Sequence, residues 1–164
     1  MGSFKLGMPD GLGLLNMGNM GRFVGQWEGG VVRGHGVMFT GEGGKYEGSW
    51  AGDCREGRGL EYHSRHLVYA GGYRGGARHG DGIILDYASA TEGETHVLTC
   101  EYFEGELVRK DEIESEQWYE ELEVYKAAEK EAKLARDVAM EVAKLLKTMH
   151  DSQDDGTGSE RPRR

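Results

Sequence analysis

The sequence predicts a mainly β protein: a single-layer, twisted antiparallel sheet of stacked β-hairpins, followed by one long C-terminal α-helix. Aromatic residues and glycines recur every 23 residues through the first half of the chain, and the second half contains a long stretch without Gly or Pro. A fixed period of roughly 20 to 50 residues is typical of repeat proteins, whose units stack to bury their apolar faces. We therefore expect a repeat sheet over residues 1–110, a helix over 111–150 and a polar tail over 151–164.

Three repeats, over residues 23–45, 46–68 and 69–91, keep the same register. Each begins with an aromatic residue and has a glycine two positions later and a second aromatic residue four positions later. The recurring residues are Phe23, Gly25 and Trp27, then Tyr46, Gly48 and Trp50, then Tyr69, Gly71 and Tyr73.

Partial repeats are expected on both sides of these three, over 2–22 and 103–110. Phe103, Gly105 and Leu107 match the start of a repeat, which implies 11 inserted residues within 86–99. The insert is either a functional loop or a longer hairpin connection. Terminal repeats are expected to be atypical because they cap the array.

The order of residue types within one repeat predicts a hairpin. Tyr46, Gly48 and Trp50 alternate with polar residues, which places them on one face of a strand. Residues 52–57 are expected to form the turn, and 59–62 the returning strand. Glycine between two aromatic residues leaves space that a neighbouring ring can cover.

Hairpin follows hairpin through glycine-rich turns such as residues 41–45. With strands about 4.8 Å apart, the repeats predict a sheet roughly 30 to 40 Å long that exposes one aromatic groove. We expect this groove to be structural and also to bind a partner protein. Its predicted residues are Phe23, Trp27, Phe39, Tyr46, Trp50, Tyr62, Tyr69 and Tyr73.

The repeat resembles a known family. The residues Tyr46, Gly48, Trp50, Gly57 and Gly59 are similar to the MORN repeat (membrane occupation and recognition nexus), and the resemblance covers about two thirds of the chain. The resemblance implies a non-catalytic structural or adaptor protein in the cytoplasm, within a ciliary or flagellar axoneme or another cytoskeletal assembly. Enzymes of the family carry their catalysis in a separate domain, for which 164 residues leave no room.

The second half of the chain predicts a single long helix. Residues 111–150 are rich in Ala, Glu, Lys and Leu, and at about 1.5 Å per residue the helix would be nearly 60 Å long. An apolar seam follows its length, with steps that alternate between three and four residues. Its residues are Trp118, Leu122, Tyr125, Ala128, Ala132, Ala135, Ala139, Val142 and Leu146.

Two interpretations of this seam stay open. The bulky start of the helix is suited to fold back onto the sheet, which would leave the Ala and Leu part available to a partner protein. Alternatively, the whole seam packs internally, as most amphipathic helices do.

Composition and motifs exclude several functions. The net charge is −9 and no basic stripe occurs, which argues against a nucleic-acid partner. Cys54 and Cys100 form no CxxC pair and are expected to be free thiols. His63 and His66 have no Cys or carboxylate set to complete a metal site. We expect no catalytic residue, no metal, no cofactor and no small-molecule substrate.

The expected partners are therefore proteins of a large assembly. One alternative is a membrane-apposed tether or lipid-binding protein, which the name of the family suggests. The negative charge and the lack of a polybasic patch or a membrane-spanning apolar run argue against it. Another alternative is an accessory subunit of a different large complex, anchored by the helix.

Overall fold

The computed structural model describes residues 1–88, 95–113 and 118–154, and within the helix it describes side chains over 123–151. Ten strands form one open antiparallel sheet in which every strand pairs with its neighbours in the chain, and one C-terminal helix follows. The strands are β1 (Gly2–Lys5), β2 (Met8–Asn16), β3 (Gly21–Glu28), β4 (Val31–Thr40), β5 (Lys45–Ala51), β6 (Cys54–Tyr62), β7 (Leu67–Arg74), β8 (Ala77–Asp86), β9 (His96–Phe103) and β10 (Glu106–Ile113). The helix is α1 (Trp118–Asp154). The predicted fold class is confirmed.

The hairpin turns are shorter than the sequence predicted. Gly52 and Asp53 alone connect β5 to β6, and their φ angles of 57° and 66° are those of a tight turn that needs two left-handed residues. Gly57, expected to end the turn, lies inside β6 instead. The register slips between Gly48 and Trp50, so that the extra residues form a bulge in β6 rather than a longer loop.

The last hairpin, β9–β10, corrects the alignment of the last repeat. Tyr102 pairs with Gly80, as Tyr73 pairs with Gly57, and lies 29 residues after Tyr73. The insertion is therefore six residues and not 11. Phe103 is exposed at the end of β9, and Gly105 belongs to the turn. Residues 89–94 of the predicted insert lie outside the described residues.

The two faces of the sheet have different partners. On one face, Leu60, Ala70 and Ile83 are buried against Ala128 and Ala132 of α1. The other face carries the first and second aromatic residues of each repeat, and we call it the aromatic face. The helix contacts strands β2 to β8, so it crosses most of the sheet on one side.

The helix begins later than predicted. β10 continues to Ile113 because residues 111–113 pair with 97–99 of β9, so the first three residues expected in the helix are strand. Residues 155–164 of the predicted polar tail lie outside the described residues. The described helix is not long and apolar enough to cross a membrane.

The helical seam packs internally along most of its described length. Ala128, Ala132 and Ala135 have no exposed surface, and Val142 is 2% exposed. Alanine allows this close approach of helix and sheet because it has no side chain beyond Cβ. The expectation that the seam is available to a partner is therefore wrong for these positions.

Tyr125 and Leu146, toward the two ends of the seam, are half-buried, and so is Ala139 between Ala135 and Val142. The side chains of Trp118 and Leu122 lie outside the described residues.

Candidate functional site

The aromatic face is built from rings that lie over pairs of glycines. Gly48 and Gly59 pair across β5 and β6, and the ring of Tyr46 lies over both. A Cβ atom on either glycine would come within 3.0 Å of that ring. Only glycine leaves room for the ring, which explains why glycine recurs with the aromatic residue. Phe23 covers Gly25 and Gly36, and Tyr69 covers Gly71 and Gly82, in the same way.

The rings also contact one another in a continuous row. Six edge-to-face pairs have ring centroids 4.9 to 5.7 Å apart. This geometry is favourable for aromatic quadrupoles. The row runs Trp27, Phe23, Trp50, Tyr46, Tyr73, Tyr69 and Tyr102. We call it the ring row.

Most of the ring row is buried and therefore does not form an exposed groove. Phe23, Tyr46, Tyr69 and Tyr73 are 3% exposed or less. Burial raises the pKa of the Tyr46, Tyr69 and Tyr73 phenols well above the ordinary value, so all three stay neutral. The expectation that these four residues contact a partner is wrong, because neighbouring rings already cover them.

The other predicted groove residues divide between the two faces. Trp27 and Trp50 are half-buried members of the ring row. Phe39 and Tyr62 lie on the opposite face, by the alternation of side chains along β4 and β6. Tyr62 packs against the cluster under the helix, and Lys45 Nζ lies 4.0 Å from its ring centroid. Phe39 and Tyr62 therefore do not belong to a groove on the aromatic face.

An ionic network that the sequence analysis missed lies on the aromatic face. The Glu61 carboxylate accepts hydrogen bonds from Arg55 at 2.7 Å, from Arg78 at 2.6 Å and from the Tyr73 hydroxyl at 3.0 Å. Burial would raise the pKa of the Glu61 carboxyl, but the hydrogen bonds and charges of the two arginines outweigh it and hold this pKa below its ordinary value.

Both arginines also lie over rings of the ring row. The Arg55 guanidinium is 4.8 Å from the Tyr73 centroid, and that of Arg78 is 4.3 Å from the Tyr69 centroid. A signal for this network was present in the sequence. Arg55 and Arg78 are 23 residues apart, and Glu61 stands where the neighbouring repeats have Met38 and Ile84. A charge in an otherwise apolar repeat position marks the network.

An open depression of about 610 Å³ lies beside this network. Its lining includes Met38, Trp50, Cys54, Arg55 and Glu61. Among the charged residues of this lining, Arg55 and Glu61 are already paired with each other. The depression therefore has no free charge from this pair with which to select an ionic ligand.

A second set of ion pairs attaches the helix to the sheet. Glu47, 3% exposed, lies between Lys45 at 2.8 Å and Arg136 at 2.6 Å. Arg136 also pairs with Glu129 of the helix. Nearby, the Glu131 carboxylate accepts a hydrogen bond from the Ser49 hydroxyl at 2.6 Å and lies 2.8 Å from His35 Nε2. These directional contacts fix the helix in one register on the sheet.

The two open edges of the sheet differ in character. At the last edge, β10 is exposed from Glu106 to Glu112, carries four consecutive charges over 109–112 and has a bulge between Leu107 and Arg109. Charges and bulges on an edge strand oppose pairing with another strand.

At the other edge, the side chains of β1 and its turn are mainly apolar. Met1, Phe4, Leu6 and Met8 are exposed, by 47% to 90%. We call this end of the sheet the first edge. A cavity of about 100 Å³ adjoins it on the aromatic face, and one of about 90 Å³ adjoins it beside Leu145 and Met149 of the helix.

The described residues offer little for covalent or metal chemistry. Burial raises the pKa of the Cys100 thiol to about 11, so it stays protonated and is a poor nucleophile. Cys54 and Cys100 are both free thiols. Within residues 1–88, 95–113 and 123–151, His, Cys, Asp and Glu form no group of three or more that could hold a metal ion.

Comparisons with known proteins do not assign the chain. No family model matches it, and no curated protein matches it either.

Proposed function

We propose that this protein is a non-catalytic structural or adaptor protein that binds partner proteins through the first edge of its sheet. The observation that carries the proposal is the group of exposed apolar side chains at the first edge together with a small cavity on each face beside it. Contiguous exposed apolar surface on a folded protein marks an interaction site. An unpaired strand adds main-chain donors and acceptors that an extended partner segment can use.

The contrast with β10 supports this assignment. Both edges are open, but the bulge of the last edge lies in β10 itself, next to four consecutive charges, and these features oppose strand addition. At the first edge the extra residues of the register shift lie in β2, and β1 carries one charge, Lys5. A sheet that avoided partners altogether would be expected to protect both of its edges. The first edge, with Phe4 and Leu6 exposed, is the better candidate for a docking strand.

The setting that we propose is a cytoskeletal assembly, such as a ciliary or flagellar axoneme. The resemblance of the 23-residue repeat to MORN repeats supports this setting, and so does the stiff construction of the molecule. A row of interlocked rings on one face and ion-paired helix packing on the other favour a rigid spacer between bound proteins.

Partner capture with two matched variants tests the proposed docking edge. The first-edge variant carries Phe4→Ser and Leu6→Asn, and the control carries Leu107→Ser and Val108→Asn on β10. All four side chains are exposed, so neither variant removes buried contacts. We expect proximity labelling in the source cell to recover several-fold less of the wild-type set of neighbours with the first-edge variant and an unchanged set with the control.

The opposite pattern, in which the β10 variant loses its neighbours and the first-edge variant keeps them, would place docking at the wrong edge and refute the proposal. Recovery of mainly lipid-bound neighbours that neither variant affects would favour a membrane-apposed role instead. Circular dichroism of both variants checks that the sheet is retained.

A further inference from the structure

One glycine pair of the sheet is not covered by a ring of its own hairpin. Gly2 pairs with Gly13 across β1 and β2, as Gly25 pairs with Gly36 across β3 and β4. In the three complete repeats, the ring over the glycine pair comes from the residue two positions before the first glycine. At Gly2 and Gly13, the atoms nearest to an added Cβ include no ring from β1 or β2.

A cavity lies where that ring would be. It has a volume of about 100 Å³ and is lined by Met1, Gly2, Pro9, Gly13 and Trp27, among others. A Cβ atom on Gly13 would lie 3.2 Å from the indole of Trp27, which shows that the indole forms one wall. We call this cavity the vacant ring site.

The contacts of Trp27 point to the same vacancy. Trp50 contacts the rings of Phe23 and Tyr46, and Tyr73 contacts those of Tyr46 and Tyr69. Within the part of the chain that the structure describes, the only ring contact of Trp27 is with Phe23, at 5.6 Å. The ring row therefore stops one ring short at the first edge.

The far end of the row is closed differently. Cys100 and Lys110 take the place of a glycine pair between β9 and β10, so no space for a ring exists there. The last ring, Tyr102, is covered by Arg78, whose guanidinium is 5.3 Å from its centroid and donates a hydrogen bond to its hydroxyl. The vacancy is a property of the first edge alone.

We propose that the vacant ring site binds a Phe or Tyr side chain of a partner protein, carried on an extended segment that pairs with the outer edge of β1. The ring would lie over Gly2 and Gly13 and contact the edge of Trp27, as Phe23 contacts Trp50. Three occupied sites with the same glycine floor hold Phe, Tyr and Tyr, which defines the ligand chemistry. This inference rests on the proposed docking role of the first edge.

The path into the site favours entry from outside the sheet. Gly2 has no side chain to separate the edge from the cavity, and the strand order places no strand beyond β1. A partner ring can therefore reach across Gly2, while its backbone bonds to β1. The volume of about 100 Å³ is smaller than that of an engineered cavity of about 150 Å³ that encloses benzene, so a ring bound at this open edge would stay partly exposed.

The first test uses p-cresol, which is the side chain of tyrosine, with the intact protein. Titration followed by the indole N–H signals of the tryptophans should give a saturable shift of Trp27 and of the Gly13 amide, with Trp50 unaffected. The non-aromatic analogue 4-methylcyclohexanol should bind several-fold more weakly. A response at Trp50 without one at Trp27 would place the ligand in the larger depression and overturn the proposal.

Two variants make this test specific. Gly13→Val fills the floor of the site and should weaken p-cresol binding at least tenfold. Because this change also crowds Trp27, a second variant keeps all native residues and adds a tyrosine directly before Met1. That added ring should occupy the site, abolish the p-cresol response and raise the melting temperature. Unchanged p-cresol binding in the second variant would refute the site.

The second test uses two extended heptapeptides that differ only in a central Tyr or Leu. The Tyr peptide should bind about three- to tenfold more tightly, which is the range that edge-to-face ring contacts supply. It should also protect β1 amides from hydrogen exchange. Equal affinity of the two peptides would overturn the proposal.

The competing occupant is a second copy of this chain. If a second copy binds there, sedimentation would show a dimer of the wild-type protein and a monomer of the variant with the added tyrosine. That result would replace the assignment of the site to a partner protein. Failure of the ring site is distinguishable from failure of the docking role. If p-cresol and the Tyr peptide do not bind but the first-edge variant still loses its neighbours, the ring site is wrong and the docking edge stands.

Discussion

At the scale of single residues, the recurring glycines are fixed by the rings above them. Gly82 is the clearest case, because the three atoms nearest to a Cβ at this position all belong to the Tyr69 side chain. Glycine usually weakens a strand, but here it provides the space for a buried ring. The sequence pattern therefore records a packing requirement rather than a flexible backbone.

This requirement predicts strong coupling between Gly82 and Tyr69. Gly82→Ala should destabilise the protein by about 3 kcal/mol, because overpacking a close-packed site forces the ring or the strand to move. In a Tyr69→Ala background the same change should cost less than about 1 kcal/mol, since the obstructing ring is gone. Urea unfolding of the four proteins of this cycle measures the coupling. Equal penalties in both backgrounds would show that the backbone, not the ring, requires glycine.

Glu61 predicts how stability depends on pH. The pKa of its carboxyl is lower in the folded protein than in the unfolded chain. Ionised Glu61 therefore stabilises the fold fully above its unfolded pKa of about 4.3, and this stabilisation is lost as pH falls through its folded pKa. The melting temperature should therefore fall below about pH 4.5. Glu61→Gln should lower it at pH 7 and flatten the decline in acid. A decline as steep as that of the wild type would assign acid sensitivity to other carboxylates.

At the scale of elements, the helix is held by both apolar packing and charge. The small Ala128, Ala132 and Ala135 bring α1 close to the sheet, while Glu47 and Glu131 bond across the interface. The apolar seam was visible in the sequence, but a seam alone does not tell which surface covers it. The strand residues that pair with the helix lie far from it in the chain, so the spacing of residues along the helix gave no signal for these pairs.

Replacement of Arg136 tests how much charge contributes to the attachment of the helix. Arg136→Met leaves the buried Glu47 carboxylate with Lys45 and a hydrogen bond of 3.4 Å from the Tyr62 hydroxyl, and we expect a loss of about 1 to 2 kcal/mol. This figure is below that for a fully buried pair, because the Arg136 side chain is about a third exposed. Lys144→Met, which breaks an exposed pair with Glu141, is the matched control and should cost less than about 0.5 kcal/mol. If urea unfolding showed the same loss of unfolding free energy for both variants, Arg136 would contribute no more than an exposed ion pair on the helix surface.

At the scale of the whole molecule, the 23-residue period predicted the hairpin sheet because the residues that repeat in the sequence are those that pack together in the sheet. Each glycine pair and each ring belong to one repeat, so both appear in the sequence. The alignment of Phe103 with the start of a repeat was wrong because Gly105 resembles a repeat glycine but is a turn residue. Only the strand pairing distinguishes a repeat glycine from a turn glycine. The prediction of an exposed groove was wrong because the sequence pattern tells which rings share a face but does not tell that these rings bury one another.

The path of the helix also bears on how the chain reaches its native state. Repeat arrays usually hold together through neighbouring units alone, so they can fray from an end or grow unit by unit. Here one helix touches strands β2 to β8 and ties most of the hairpins to a single element. That element follows all ten strands in the chain, so the apolar face of the finished hairpins stays uncovered until α1 has been synthesised. The molecule is thus a repeat protein by sequence, but its assembly is closed by one late step.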